Sequence, residues 1–82
     1  MFHRLASVSP LPGYQLKARF QTGEERLYDV GALELVWPEF ADLRRIPGLF
    51  ELARVEVGGC GVVWNEFLDL SSEEIWHEGV PL

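Results

Sequence analysis

The chain has 82 residues, 48% of them apolar, and 13 acidic against 7 basic side chains leave a net charge of −6. A single cysteine excludes an intrachain disulfide and with it the stapled class of small secreted domains. No apolar run is long enough to cross a bilayer, and the length leaves no room for a second independent core.

The reading is one domain over residues 1–82, stable by about 4–12 kcal/mol at the usual margin per residue. Nothing at the start resembles a signal peptide, so a reducing cytoplasm is the expected location. Residues 1–30 carry a charge of +1 and the remainder −7. That sign disfavours direct nucleic-acid binding, which needs a basic face, and leaves only a local patch at Lys17 and Arg19. Cys60, His3 and His77 are scattered without the short paired spacings of zinc sites, so no metal is expected.

Arg4 to Pro10 reads as a first strand, ended by Pro10-Leu11-Pro12-Gly13 because prolines withhold ladder donors. Tyr14 to Phe20 alternates, with Tyr14, Leu16, Ala18 and Phe20 on one face. Side-chain parity then selects a three-residue loop at Gln21-Thr22-Gly23, with Leu16 opposite Tyr28, Tyr14 opposite Val30 and Arg19 opposite Glu25. Arg26 falls opposite Ala18 on the apolar side, where its long stem has to snorkel. Between Gly31 and Leu52, Pro38 and Pro47 each suit the first turn of a short helix. Phe40, Leu43, Leu49, Phe50 and Leu52 are expected to pack from those pieces. A second hairpin follows, with Gly58-Gly59 as a two-residue loop. It pairs Val57 with Cys60, Val55 with Val62 and Ala53 with Trp64, and all six are expected on one apolar face. The last helix has Ser71 as N-cap, Glu74 to complete a capping box, Leu70 and Ile75 as a staple, and Gly79 as a stop.

The chemistry candidates each have a bland reading that weighs more. The expected apolar face makes Cys60 a packing residue rather than a nucleophile. His3 and His77 lack motif partners and lie near the termini. Glu73 and Glu74 are explained by capping and by the helix dipole, and the calcium-loop spacing is absent. Asp69 is read as capping the turn after the last strand with its own side chain. Gly58, Gly59 and Gly61 join strands and make no phosphate loop. The surplus is aromatic. Ten aromatic residues is a heavy load for 82, and Trp37, Phe40, Phe67 and Trp76 all lie outside the hairpin faces. Some of these are expected at an interface, where such side chains are enriched.

The order of motifs resembles the DUF2442 family of small bacterial domains of unknown function. The resemblance runs through Val8 and Pro10, Leu16 to Phe20 with Gly23, Tyr28-Asp29-Val30 with Leu33, Phe40 with Leu43-Arg44, Leu49-Phe50, and Val62-Val63-Trp64 with Asp69-Leu70. The chain departs from the family pattern at Asn65-Glu66-Phe67, where a proline or aspartate and a glycine are usual. The resemblance implies an α+β fold and no established activity. It agrees with the elements above: two β-hairpins plus an N-terminal strand forming antiparallel sheet, short helices between the hairpins, and a capped C-terminal helix. Members are often encoded beside a second small protein in pairs that look like toxin and antitoxin, and some carry a helix-turn-helix domain, for which this chain has no room.

The expectation is therefore an interaction module rather than an enzyme, without cofactor, that binds a small protein partner or itself. Its interaction candidates are Trp37, Phe40, Phe67, Trp76 and Asp69. The rival is a small enzyme or ligand-binding domain using Asp69, His77 or Cys60, which requires those groups to converge in one pocket.

Overall fold

In the computed structural model, which describes residues 2–82, β1 (Leu5–Leu11), β2 (Gln15–Phe20) and β3 (Glu25–Asp29) form an antiparallel meander. The three-residue loop holds. Leu16 lies opposite Tyr28 and Arg19 opposite Glu25, and the Phe20 N–H donates to the Glu24 carbonyl at 2.8 Å. Gly23 supplies the left-handed position at φ +95°, which a side chain would strain. Arg26 stands opposite Ala18 and does snorkel, laying its guanidinium 3.9 Å over the Trp76 ring.

β1 runs one residue past Pro10, to Leu11. It is an edge strand of its sheet, where a missing N–H is tolerated on the outer side. A register shift between Leu5 and Ser7 lets both Leu5 and Val8 face inward, although an even strand would separate them. A short strand β7 (Val80–Pro81) pairs with β3 and completes the four-stranded order β1-β2-β3-β7.

The second hairpin belongs to a separate three-stranded sheet: β4 (Arg54–Val55), β5 (Gly61–Val63) and β6 (Asp69–Ser71). Val55 does face Val62. The turn, however, comes one residue earlier than expected, because the Gly59 N–H closes back on the Glu56 carbonyl at 2.9 Å and the Glu56 N–H meets the Gly61 carbonyl at 2.8 Å. Val57 is left at the corner, 97% exposed, and Cys60 is also exposed. The six-residue apolar face is thus shortened, and Cys60 is not a packing residue. The cause is tertiary. The Gly59 carbonyl accepts the Leu5 N–H at 2.8 Å, which stitches the two sheets together and fixes the turn.

Between β3 and β4 run short helical pieces: 3-10 turns at Val30–Leu35, Pro38–Ala41 and Phe50–Leu52, and α1 (Asp42–Arg45). Pro38 opens its turn as expected. Pro47 does not open a helix. It sits in a turn closed by the Leu49 N–H on the Ile46 carbonyl at 3.1 Å, with Gly48 at φ +80°, the proline-glycine order of a type II turn. Leu49 and Phe50 fill the inward side and Leu52 is left exposed.

Helix α2 (Ser72–Glu78) starts at Ser71, whose Oγ accepts the Glu74 N–H at 3.1 Å. Half of the capping box forms, because the Glu74 carboxylate turns away to Tyr28. Gly79 ends the helix in extended backbone. A Cβ there would lie 2.5 Å from the Ile75 carbonyl oxygen and 3.0 Å from the Arg26 Cβ, so no side chain fits without a shift. Leu5, Leu16, Ala18 and Phe20 of the first sheet, Val62 and Leu70 of the second, Phe50 of the crossover and Ile75 of α2 meet in one buried cluster.

Candidate functional site

The loop between β5 and β6 sorts its side chains by one residue. Asn65 Oδ1 accepts the N–H groups of both Phe67 and Leu68 at 2.9 Å, an Asx turn that mimics backbone pairing. It turns Leu68 into the core and Phe67 outward, 79% exposed. The expectation that Asp69 caps this turn is therefore corrected. Asn65 does so, and Asp69 is an exposed β6 residue opposite Val63.

Trp37 is placed by a second local device. It has extended backbone, as expected of a residue preceding proline. Its N–H donates to the Leu33 carbonyl at 2.7 Å and its carbonyl accepts the Phe40 N–H at 3.0 Å. The indole is left 44% exposed while Phe40 turns inward.

These segments enclose a groove of about 340 Å³ lined by Trp37, Glu39, Phe40, Phe67, Asp69, Leu70, Ser71 and Glu74. Phe40 is its floor, edge-on to Trp64 at 6.0 Å and tilted against Trp37 at 6.1 Å. Phe40 is thus mostly core, and the exposed aromatic surface of this groove belongs to Trp37 and Phe67. Three carboxylates and no basic side chain line the groove. Glu74 is held from beneath by the Tyr28 hydroxyl at 2.9 Å. Burial drives the Tyr28 phenol far above its ordinary pKa, and the hydrogen bond and charge of Glu74 push the same way. Tyr28 therefore keeps its proton and remains a donor to Glu74.

Trp76, the fifth interaction candidate, lies elsewhere and is not free. It is sandwiched between the Arg26 guanidinium and the His3 imidazole, which stacks on it at 3.9 Å and 11°. Arg26 Nε also donates to the Trp76 carbonyl at 3.3 Å. Glu73 ties the N-terminal segment to α2. It accepts the His3 backbone N–H at 2.6 Å, faces its Nδ1 at 3.1 Å, and lies 3.6 Å from His77 Nε2. The backbone bond from His3, then the ring contact, holds the Glu73 carboxyl below the usual carboxylate range. Both histidines therefore have Glu73 as a partner: for His77 it is an i,i+4 neighbour, whereas for His3 sequence spacing hides it, because the two are 70 residues apart.

The rival trio does not assemble in this groove: Asp69 lines it, but Cys60 and His77 do not. Cys60 sits instead at the exposed Gly58 turn, whose carbonyl accepts from Arg4 Nη1 at 2.8 Å. Among the described residues, no group of three or more His, Cys, Asp or Glu side chains is arranged to hold a metal ion, and no helix is long and apolar enough to cross a membrane.

Glu39 and Glu74 are the groove residues that sequence reasoning missed. Glu74 was absorbed by its capping role, and nothing local distinguishes Glu39.

Residues 5–81 match the model of a family described as "Protein of unknown function (DUF2442)", and the chain belongs to that family. No curated protein and no solved structure matches it.

Proposed function

From the premise of a DUF2442 domain, we propose that this chain is a non-catalytic, cytoplasmic interaction module that binds a small protein partner through the Trp37–Phe67 groove, as the antitoxin-like member of a two-gene pair. The observation that carries this reading is the convergence of two exposed aromatic side chains from distant segments on one concave site with Asp69. Exposed aromatics bordering a groove are the usual anchors of binding energy. The adjoining run Leu35-Val36 is also exposed, at 87% and 67%, and extends the apolar surface beyond Trp37.

A different protein fits this groove better than a second copy does. A twofold contact sets the same patch against itself, and here that would oppose Glu39, Asp69 and Glu74 to their own copies at a cost in like-charge repulsion. The same carboxylates repel the phosphates of a nucleic acid.

Co-expression with the product of the adjacent gene, followed by size exclusion, tests the reading. The two proteins are expected to elute together, and the double variant W37A/F67A to weaken the complex by about 2 kcal/mol or more, roughly 30-fold. Both side chains are solvent-exposed, so the variant should keep its stability within about 0.5 kcal/mol. Independent elution of the wild-type proteins at micromolar concentration overturns the proposal.

A further inference from the structure

The groove's chemistry narrows what enters it. Trp37 and Phe67 line it together with Glu39, Asp69 and Glu74, and no cationic side chain is among the lining residues to neutralise them. Two other concavities differ in this respect. The two cavities beside Tyr14 both include Arg44, which is engaged by Glu34 through Nη2–Oε1 at 2.9 Å and Nε–Oε2 at 3.2 Å. The groove is thus a site where aromatic faces and uncompensated carboxylates meet.

That combination selects a cation with a flat, weakly hydrated head. A guanidinium stacks on an indole or phenyl face and at the same time donates in its plane to carboxylates. An ammonium is more strongly hydrated and gains less from the aromatic walls. The chain displays the same arrangement internally, with Arg26 stacked 3.9 Å over Trp76 and its Nε donating sideways to a carbonyl. In the groove the acceptors are already set. Glu74 Oε2 is held by Tyr28, so at least one carboxylate is oriented before anything binds, which lowers the ordering cost of association.

Resting on the interaction reading above, we propose that the groove is an arginine socket: the partner inserts an arginine side chain from a basic peptide segment between Trp37 and Phe67, with its guanidinium against Asp69 and Glu74. Glu39 at the rim adds long-range attraction and raises the association rate more than the affinity. The −7 charge of residues 31–82 acts in the same direction.

The test uses the full chain, isotope-labelled, titrated with a blocked five-residue peptide carrying one central arginine and with the same peptide carrying citrulline, which keeps the shape and removes the charge. The arginine peptide is expected to shift the resonances of Trp37, Phe67 and Asp69. The citrulline peptide should bind at least about tenfold more weakly. Raising the salt should weaken only the arginine peptide. D69N should reduce arginine binding while leaving the spectrum of the free protein otherwise unchanged. Equal binding of the two peptides, or shifts confined to other surfaces, overturns the socket. If the adjacent gene product binds and W37A/F67A releases it, but D69N/E39Q and salt do not, the socket falls and the interaction reading stands. If that partner does not bind at all while the arginine peptide occupies the groove, the socket stands and the two-gene reading falls.

Discussion

Gly23 and Gly59 both have positive φ, +95° and +77°, but different neighbourhoods. A Cβ at Gly23 would meet nothing within 4 Å, whereas one at Gly59 would lie 2.7 Å from the Leu5 carbonyl oxygen and 3.1 Å from the Arg4 Cβ. G23A should therefore cost only the conformational term, about 1 kcal/mol, and G59A about 3 kcal/mol or more, because the seam between the sheets must open. Urea unfolding measures both as a fall in midpoint at constant slope; equal effects would mean that Gly59 does not seat β1. Glu73 makes a second residue-scale prediction. Its carboxyl titrates below the usual range, chiefly because of the His3 backbone hydrogen bond. A depressed carboxylate stabilises the fold above its unfolded pKa, and that contribution is lost as pH falls through the folded value. The Glu73 carboxyl carbon resonance should therefore titrate below the ordinary glutamate range, and a midpoint at or above that range contradicts the contact.

Among the elements, α2 depends on its first turn. It is seven residues long, too short to persist without packing and a cap. S71A removes the acceptor of the Glu74 N–H and should cost about 1 kcal/mol, read by thermal or urea unfolding; no change would show that the cap is redundant with the packing of Ile75. The elements differ in how far the sequence foretells them. The first hairpin was legible to the residue, because only one loop length puts Leu16 opposite Tyr28 and keeps Arg19 beside Glu25 on the polar side. The second was legible at Val55 and Val62 and failed at Val57 and Cys60. What decides that turn is the docking of Gly59 on Leu5, 54 residues away, and no local pattern encodes it. The division into two sheets is hidden for the same reason. The candidate site was half legible. The aromatic surplus marks Trp37 and Phe67, and Asp69 reads as a turn cap, but the meeting of the three depends on how the crossover lies against β6. Trp76 lies outside the groove, and its contacts were not legible because its partners, Arg26 and His3, come from β3 and the N-terminal segment.

For the whole molecule, the proposed recognition rests on where the fold leaves aromatic surface uncovered. Most of the ten aromatic residues are enclosed: Phe20, Tyr28, Phe40, Phe50 and Trp64 are buried, and Trp76 is clamped on both faces. Trp37 and Phe67 differ in being exposed and in sharing a groove with the carboxylates of an acidic chain. Removing them should leave stability intact and weaken recognition, the reverse of what core truncation does. The most direct measurement is a chemical-shift map of the labelled chain with and without the adjacent gene product. The account predicts that the largest changes fall on Trp37 to Phe40 and on Phe67 to Glu74, with His3 and Trp76 undisturbed. Changes centred on His3, Trp76 and His77, or spread along the β1 edge, would contradict it.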